Sequence, residues 1–194
     1  QDFFVSSNNF SAYKLIESWP TWPGKWLNIF GDSGSGKTHL SKILEKKIKK
    51  TKLIDAKNID NQIVQNLNNI DCLIIDSFNN NINEKLLYSI LNQSRQLENY
   101  VLINSNISIK NLKFELTDLQ SRINSFLYIG IELPNDELLK VIISKTFSDK
   151  QISINPKISD FIINNVERSY EKMFKFLKEV DELSLSTGKS ININ

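Results

Sequence analysis

One ten-residue stretch, GDSGSGKTHL at positions 31–40, constrains this chain more than any other. It fits the phosphate-loop pattern G-x-x-x-x-G-K-[ST], running from Gly31 through Asp32, Ser33, Gly34, Ser35 and Gly36 to Lys37 and Thr38. Such a loop works because glycines let successive backbone N–H groups turn toward phosphate oxygens, at the N-terminus of a helix whose dipole favours anions. It therefore demands a strand before it and a helix after it. Both are legible: an apolar run over 26–30 ends at Phe30, and Leu40, Ile43, Leu44 and Ile48 recur at helical spacing. In that setting Lys37 is expected to reach the β- and γ-phosphates and Thr38 to hold Mg2+.

Further runs of strand character lie at 53–54, 72–75, 100–103 and 127–131, separated by helical patterns such as Leu86, Leu87, Ile90, Leu91 and Leu97. Strands alternating with helices imply a parallel sheet covered on both faces. After Pro134 the strand signals stop, and three helices are expected: 136–147, 156–166 with Asn155 as cap and Pro156 at the first helical position, and 169–187 closed by Gly188. The expected organisation is an αβα base over residues 1–133, built on a five-stranded parallel sheet, followed by a small helical lid over 134–194.

The run DCLIIDS adds a second signature. Leu73, Ile74 and Ile75 lead to Asp76, an acid at the end of a buried strand, where it would face the magnesium ion through water. Bulk charge adds little, since 24 basic residues against 22 acidic give a net +2 and no field that announces nucleic acid. A single cysteine, Cys72, excludes a disulfide framework and fits a cytoplasmic chain. No apolar run approaches the ~20 residues of a bilayer span. The first residues lack the layout of a signal peptide, and the missing initiator Met suggests a trimmed chain. Only three arginines occur, Arg95, Arg122 and Arg168, in a chain rich in Asn, Ile and Lys. Where Lys replaces Arg wherever either serves, a retained Arg is expected to do what Lys cannot.

In order along the chain, these motifs resemble the AAA+ ATPases, and within them the DnaA-like branch. DFFVSSNNFSAYKLI resembles that branch's opening, GDSGSGKTHL its phosphate loop, VLINSN its sensor strand, LTDLQSRI its L-x-S-R box, and VERSYEKMFKFLKEVDELSLSTGKSIN its lid helix. The resemblance implies ADP or ATP with Mg2+ as ligands, with Thr38 and Asp76 toward the metal. Phe4 and Val5 would strap the adenine, although aromatic residues near a terminus also serve simply as an apolar cover. His39 shares the G-K-T-H-L motif and counts with the cofactor-binding residues, its ring expected to pack or cap rather than catalyse. The register of the sensor strand places Asn106, among Asn104, Ser105 and Asn106, where the family carries an acid.

The same resemblance gives two arginines their roles. Arg122 falls at the arginine-finger position, which points into a neighbour's nucleotide site, and Arg168 at the second-sensor position in the lid. Arg95 matches no role. One acid is missing: many ATPases of this class have a second acid after Asp76, and here Ser77 stands instead. A serine hydroxyl is not a general base near neutral pH without a partner, so weak intrinsic hydrolysis is expected.

The sequence also resembles the short Hda-type relatives of DnaA, through ESWPTWP before the first strand and the brief segment 59–70 where DnaA carries an inserted helical motif. That likeness implies a regulator that docks on the DnaA initiator while tethered to the DNA polymerase sliding clamp. Little direct DNA binding is implied, and a homo-oligomer is allowed. The clamp peptide, of Q-x-x-L or Q-x-x-F type, is mimicked by Gln1-Asp2-Phe3-Phe4, but those residues also align with the strap, so the true motif is expected upstream. Three alternatives stand beside this reading: a loader ATPase of the DnaC or transposition-helper kind, a DnaA piece without its DNA-binding domain, and a scaffold that keeps nucleotide for stability alone.

Overall fold

The computed structural model describes residues 3–150, 152 and 154–187. The strands β1 (Trp26–Phe30), β2 (Thr51–Asp55), β3 (Cys72–Phe78), β4 (Tyr100–Ser105) and β5 (Leu127–Gly130) form one sheet in the order β2-β3-β4-β1-β5. Every neighbouring pair is parallel. β1 lies between β4 and β5, so the segment leaving it at Gly31 emerges beside the carboxyl end of β4, the edge at which open α/β sheets bind ligands.

Alternation along the strands builds a core on each face. Trp26, Leu73, Ile75, Val101 and Ile103 pack with Ile63 of α3 (Asn61–Asn66), Leu87, Ile90 and Leu91 of α4 (Glu84–Gln96), and Leu119 and Ile123 of α5 (Thr117–Ile123). The other parity, Leu27, Ile29, Cys72, Ile74 and Leu102, packs with Ala12 and Ile16 of α1 (Phe10–Glu17) and with Leu40 and Leu44 of α2 (Lys37–Lys47). The element at 53–54 proves to be the five-residue strand β2, and β3 runs on past Asp76 to Phe78. β4 likewise continues to Ser105, two residues beyond the expected end.

The chain divides into two compact units. One holds the residues up to Gly31 together with Gly36–Ile131; the other holds Asp32–Ser35 and the residues from Glu132 onward. In the second unit α6 (Asp136–Ser148), α7 (Pro156–Asn165) and α8 (Tyr170–Thr187) enclose their own core of Leu139, Ile143, Phe147, Ile158, Ile162, Met173 and Leu177. The side chain of Asn135 accepts from the N–H of Leu138 at 2.9 Å and that of Asn155 from Lys157 at 2.9 Å, with Pro156 at the first helical position. Lys150 and Asp181 form an ion pair in the same unit. The expected stop at Gly188 and the Gln1-Asp2 half of the clamp-like peptide lie outside the described residues. Among the described residues no helix is long and apolar enough to cross a membrane.

Candidate nucleotide site

The phosphate loop begins where β1 ends, and its backbone requires glycine at two places. Gly34 (φ +82°) and Gly36 (φ +95°) occupy the left-handed region. A Cβ on Gly36 would stand 2.8 Å from the Phe3 ring, and one on Gly34 would meet Tyr170 and Phe174 at 3.1 and 3.3 Å. The N–H of Ser35 turns back to the carbonyl of Asp32 at 3.1 Å, while Asp32, Ser33 and Gly34 stay exposed. Helix α2 then starts at Lys37, its N-cap Gly36 making no side-chain cap hydrogen bond, and a helix N-terminus favours an anion.

Lys37 is only 8% exposed, and its ammonium group donates to the carbonyl of Gly31 at 2.6 Å and to Oδ1 of Asn106 at 3.4 Å. The register expectation for Asn106 thus puts it beside the loop lysine. Thr38 Oγ1, on α2, donates to Oδ2 of Asp76 on β3 at 2.7 Å. Asp76 is buried and its Oδ1 accepts from Nδ2 of Asn104 at 3.0 Å and from the N–H of Ser77 at 2.9 Å. Asn104, fully buried, also donates to Oγ of Ser41 at 2.7 Å. The sequence names this second asparagine in the sensor strand without assigning it the role. Its signal was strand parity: Asn104 shares the face of Leu102, toward α2 and Ser41, once β4 is carried to Ser105.

The donor set fits magnesium. A hydroxyl and a carboxylate oxygen meet at hydrogen-bond distance, both hard oxygen ligands, and the buried Oδ1 of Asn104 has no partner, an acceptor suited to a coordinated water. Among the described residues no cluster of three or more His, Cys, Asp or Glu could hold a metal. A magnesium ion here would therefore take Thr38 and Asp76 from the chain and its other ligands from phosphate and water. Bound there, it would neutralise charge on the β- and γ-phosphate oxygens.

Ser77 differs from an ordinary strand residue. Its φ is +57°, at a register break between Ile75 and Phe78 where β3 pairs with β4, and its side chain is exposed. The bulge turns position 77 out of the strand's alternation, so Asp76 remains the acid of this strand end.

The N-terminal strap is fixed by Asn9, whose buried side chain donates to the carbonyl of Phe4 at 2.9 Å and accepts from the N–H of Ser6 at 3.0 Å. Phe3, rather than Phe4 or Val5, reaches the loop. Its ring stacks on Tyr13 with centroids 5.8 Å apart and meets His39 edge-on at 5.3 Å. His39 thus packs, as expected, while Phe4 is 40% exposed.

Of the arginines, Arg168 pairs with Asp136 at 2.8 Å, both well exposed within the helical unit. Arg122 is half-buried on α5 and donates to Oδ1 of Asn92 on α4 at 2.9 Å. Arg95 sits exposed in the last turn of α4. In the helical unit Tyr170 donates to the carbonyl of Glu132, and burial with the nearby Asp32 charge pushes its hydroxyl up to about 12.

An RNA helicase family model matches residues 27–117, the stretch that holds β1, the phosphate loop and the Asp76 strand. Among curated proteins, the chromosomal replication initiator DnaA of Chlorobaculum tepidum is 25% identical over 169 residues, covering 76% of this chain and 34% of that protein. The DnaA of Buchnera aphidicola is 26% identical, over all of this chain and 48% of the relative. Domain III of Thermotoga maritima DnaA superposes with a TM-score of 0.75 at 18% identity, over 98% of this chain and 90% of that one. The fold is the AAA+ P-loop NTPase fold of DnaA domain III, and the sequence is similar to that of DnaA over the shares just given. AMPPCP-bound DnaA from Aquifex aeolicus gives a TM-score of 0.72 at 18% identity, over 92% and 63% of the two chains. The chain spans a third to a half of the length of the curated initiators it matches.

Proposed function

We propose that this DnaA-related chain is an Hda-type regulator of replication initiation that holds an adenine nucleotide rather than consuming it. Loaded with ADP or ATP and Mg2+, and tethered to the sliding clamp, it docks on ATP-bound DnaA. Arg122 enters the initiator's site, and hydrolysis there is accelerated in trans.

One observation carries the reading. Asp76 accepts from Thr38, Asn104 and the N–H of Ser77, and the next position offers an exposed serine on a left-handed bulge. No general base stands there to activate water. The loop, its lysine and the metal residues are complete, so nucleotide should bind well and turn over slowly. An arginine supplied in trans stabilises charge on the transferred phosphoryl group, an effect worth about 10³–10⁵ in rate. Clamp tethering would raise effective concentration with no new contact at the site. The AMPPCP complex of the Aquifex initiator supports an adenine nucleotide as ligand.

The test is release of phosphate from ATP already bound to DnaA, with clamp-loaded DNA. Wild type should stimulate it and Arg122→Ala should not; equal rates with and without the chain would refute the proposal. A second reading is favoured by the 90% coverage of an isolated DnaA domain III: the sequence is the AAA+ piece of an initiator, and Arg122 serves the next copy. A reading frame that continues into a DNA-binding domain would decide for it.

A further inference from the structure

Arg122 is the residue on which the proposed function turns, and its own chain already holds it. Leu119 and Ile123, both fully buried, anchor α5 on the core, and the carbonyl of Arg122 accepts from the N–H of Ser125 at 3.1 Å. The root of the side chain is therefore rigid. The guanidinium folds back onto α4, where one N–H donates to Oδ1 of Asn92 at 2.9 Å. Its Nε is buried with no hydrogen-bond partner. Among the described residues Arg122 makes no ion pair, whereas Arg168 takes a carboxylate, Asp136, at 2.8 Å.

We propose that Asn92 is a positioning residue that parks the Arg122 guanidinium against α4 until a partner's phosphate displaces it, an inference that rests on the trans-acting role just proposed. The chemistry of the pair suits such a hold. A neutral amide accepts an ordinary hydrogen bond from the cation, while phosphate offers charged and bidentate acceptance of a planar fork. The buried Nε–H adds to the imbalance, because a desolvated donor without a partner is costly where it is and gains on leaving. A carboxylate in place of the amide would reverse the balance by converting the hold into a half-buried ion pair that resists withdrawal. The parked state keeps the guanidinium off adventitious anions and releases it only to an acceptor stronger than Asn92.

Two measurements on the full chain test this. The first needs no partner. With three arginines in the sequence, the 15N side-chain resonances are few, and exposed Arg95 is an internal reference. The Nε–H of Arg122 should exchange with solvent at least about tenfold more slowly than that of Arg95, and Asn92→Ala should remove most of the difference. Equal exchange in the wild type overturns the parking.

The second measurement is single-turnover hydrolysis of ATP bound to DnaA as a function of chain concentration. Asn92→Asp should lower the maximal rate by about tenfold with the half-saturating concentration unchanged, and the deficit should shrink as salt rises. Asn92→Ala should retain a maximal rate at or above wild type. If Ala and Asp lower it equally, Asn92 is only structural support and the proposal fails. Arg122→Ala as active as wild type would instead overturn the trans-acting role, and the exchange rates would still decide whether Arg122 is parked.

Discussion

Asp76 is the residue around which the site is organised. It receives a hydroxyl, an amide and a main-chain N–H, so its carboxylate is held in one orientation beside Thr38. Replacing it by Asn keeps the shape and removes the charge. Asp76→Asn should abolish the magnesium-dependent gain in nucleotide affinity, a loss of about 10-fold or more, while affinity in EDTA changes little; titration of a fluorescent nucleotide with and without Mg2+ reads both. Gly36→Ala meets two obstacles, a left-handed backbone that costs about 1–2 kcal/mol for any L side chain and a Phe3 ring 2.8 Å away. Urea unfolding should show that loss, and adding Phe3→Ala should recover only the part due to the ring. Lys37, Thr38 and Asp76 were legible because phosphate and metal chemistry fixes residue type and spacing. Asn104 was not, because ending β4 at Ile103 left its orientation undefined. The left-handed Ser77 was not legible either, since serine carries no preference for that conformation.

At the scale of elements, apolar period and cap chemistry explain most of the helices. Asn135 and Asn155 each bind an N–H in the first turn of α6 and α7, and replacing either by Ala should cost about 1 kcal/mol of stability, read as a lower urea midpoint with unchanged cooperativity. The central strands announced themselves as runs of buried residues. β2 was read short because it is the sheet edge, half-exposed along its length, and needs few apolar side chains. β3 was read short because the chain continues through a bulge that no local composition marks. The packing of Phe3 in the strap is not legible in the sequence. Asn9 bonds the carbonyl of Phe4 and leaves Phe3 facing Gly36, a long-range geometry that sequence spacing does not encode.

For the molecule as a whole, buried Cys72 and Tyr170 and half-buried Tyr128 weaken stability at alkaline pH. Burial, with the Asp71 charge second, pushes the Cys72 thiol from 9.0 up to about 12. Burial likewise moves the Tyr128 and Tyr170 hydroxyls from 10.0 to about 12, with Asp32 adding to the effect at Tyr170. In each case the native state keeps the proton that the unfolded chain releases first. Stability from these groups is whole below pH 9 and is lost as pH rises from 9 toward 12. The urea midpoint should stay level between pH 7 and 8.5 and fall above pH 9, and native Cys72 should react with a thiol reagent only after unfolding.

Whether this chain holds its own nucleotide and acts on a neighbour's is decided by loading the chain and DnaA with ATP carrying different γ-phosphate labels. Both labels are then followed in one mixture with clamp-loaded DNA. Rapid release of the DnaA label is expected, lost with Arg122→Ala, while the chain's own label stays bound. Rapid release of the chain's own label, with the DnaA label unaffected, would contradict it.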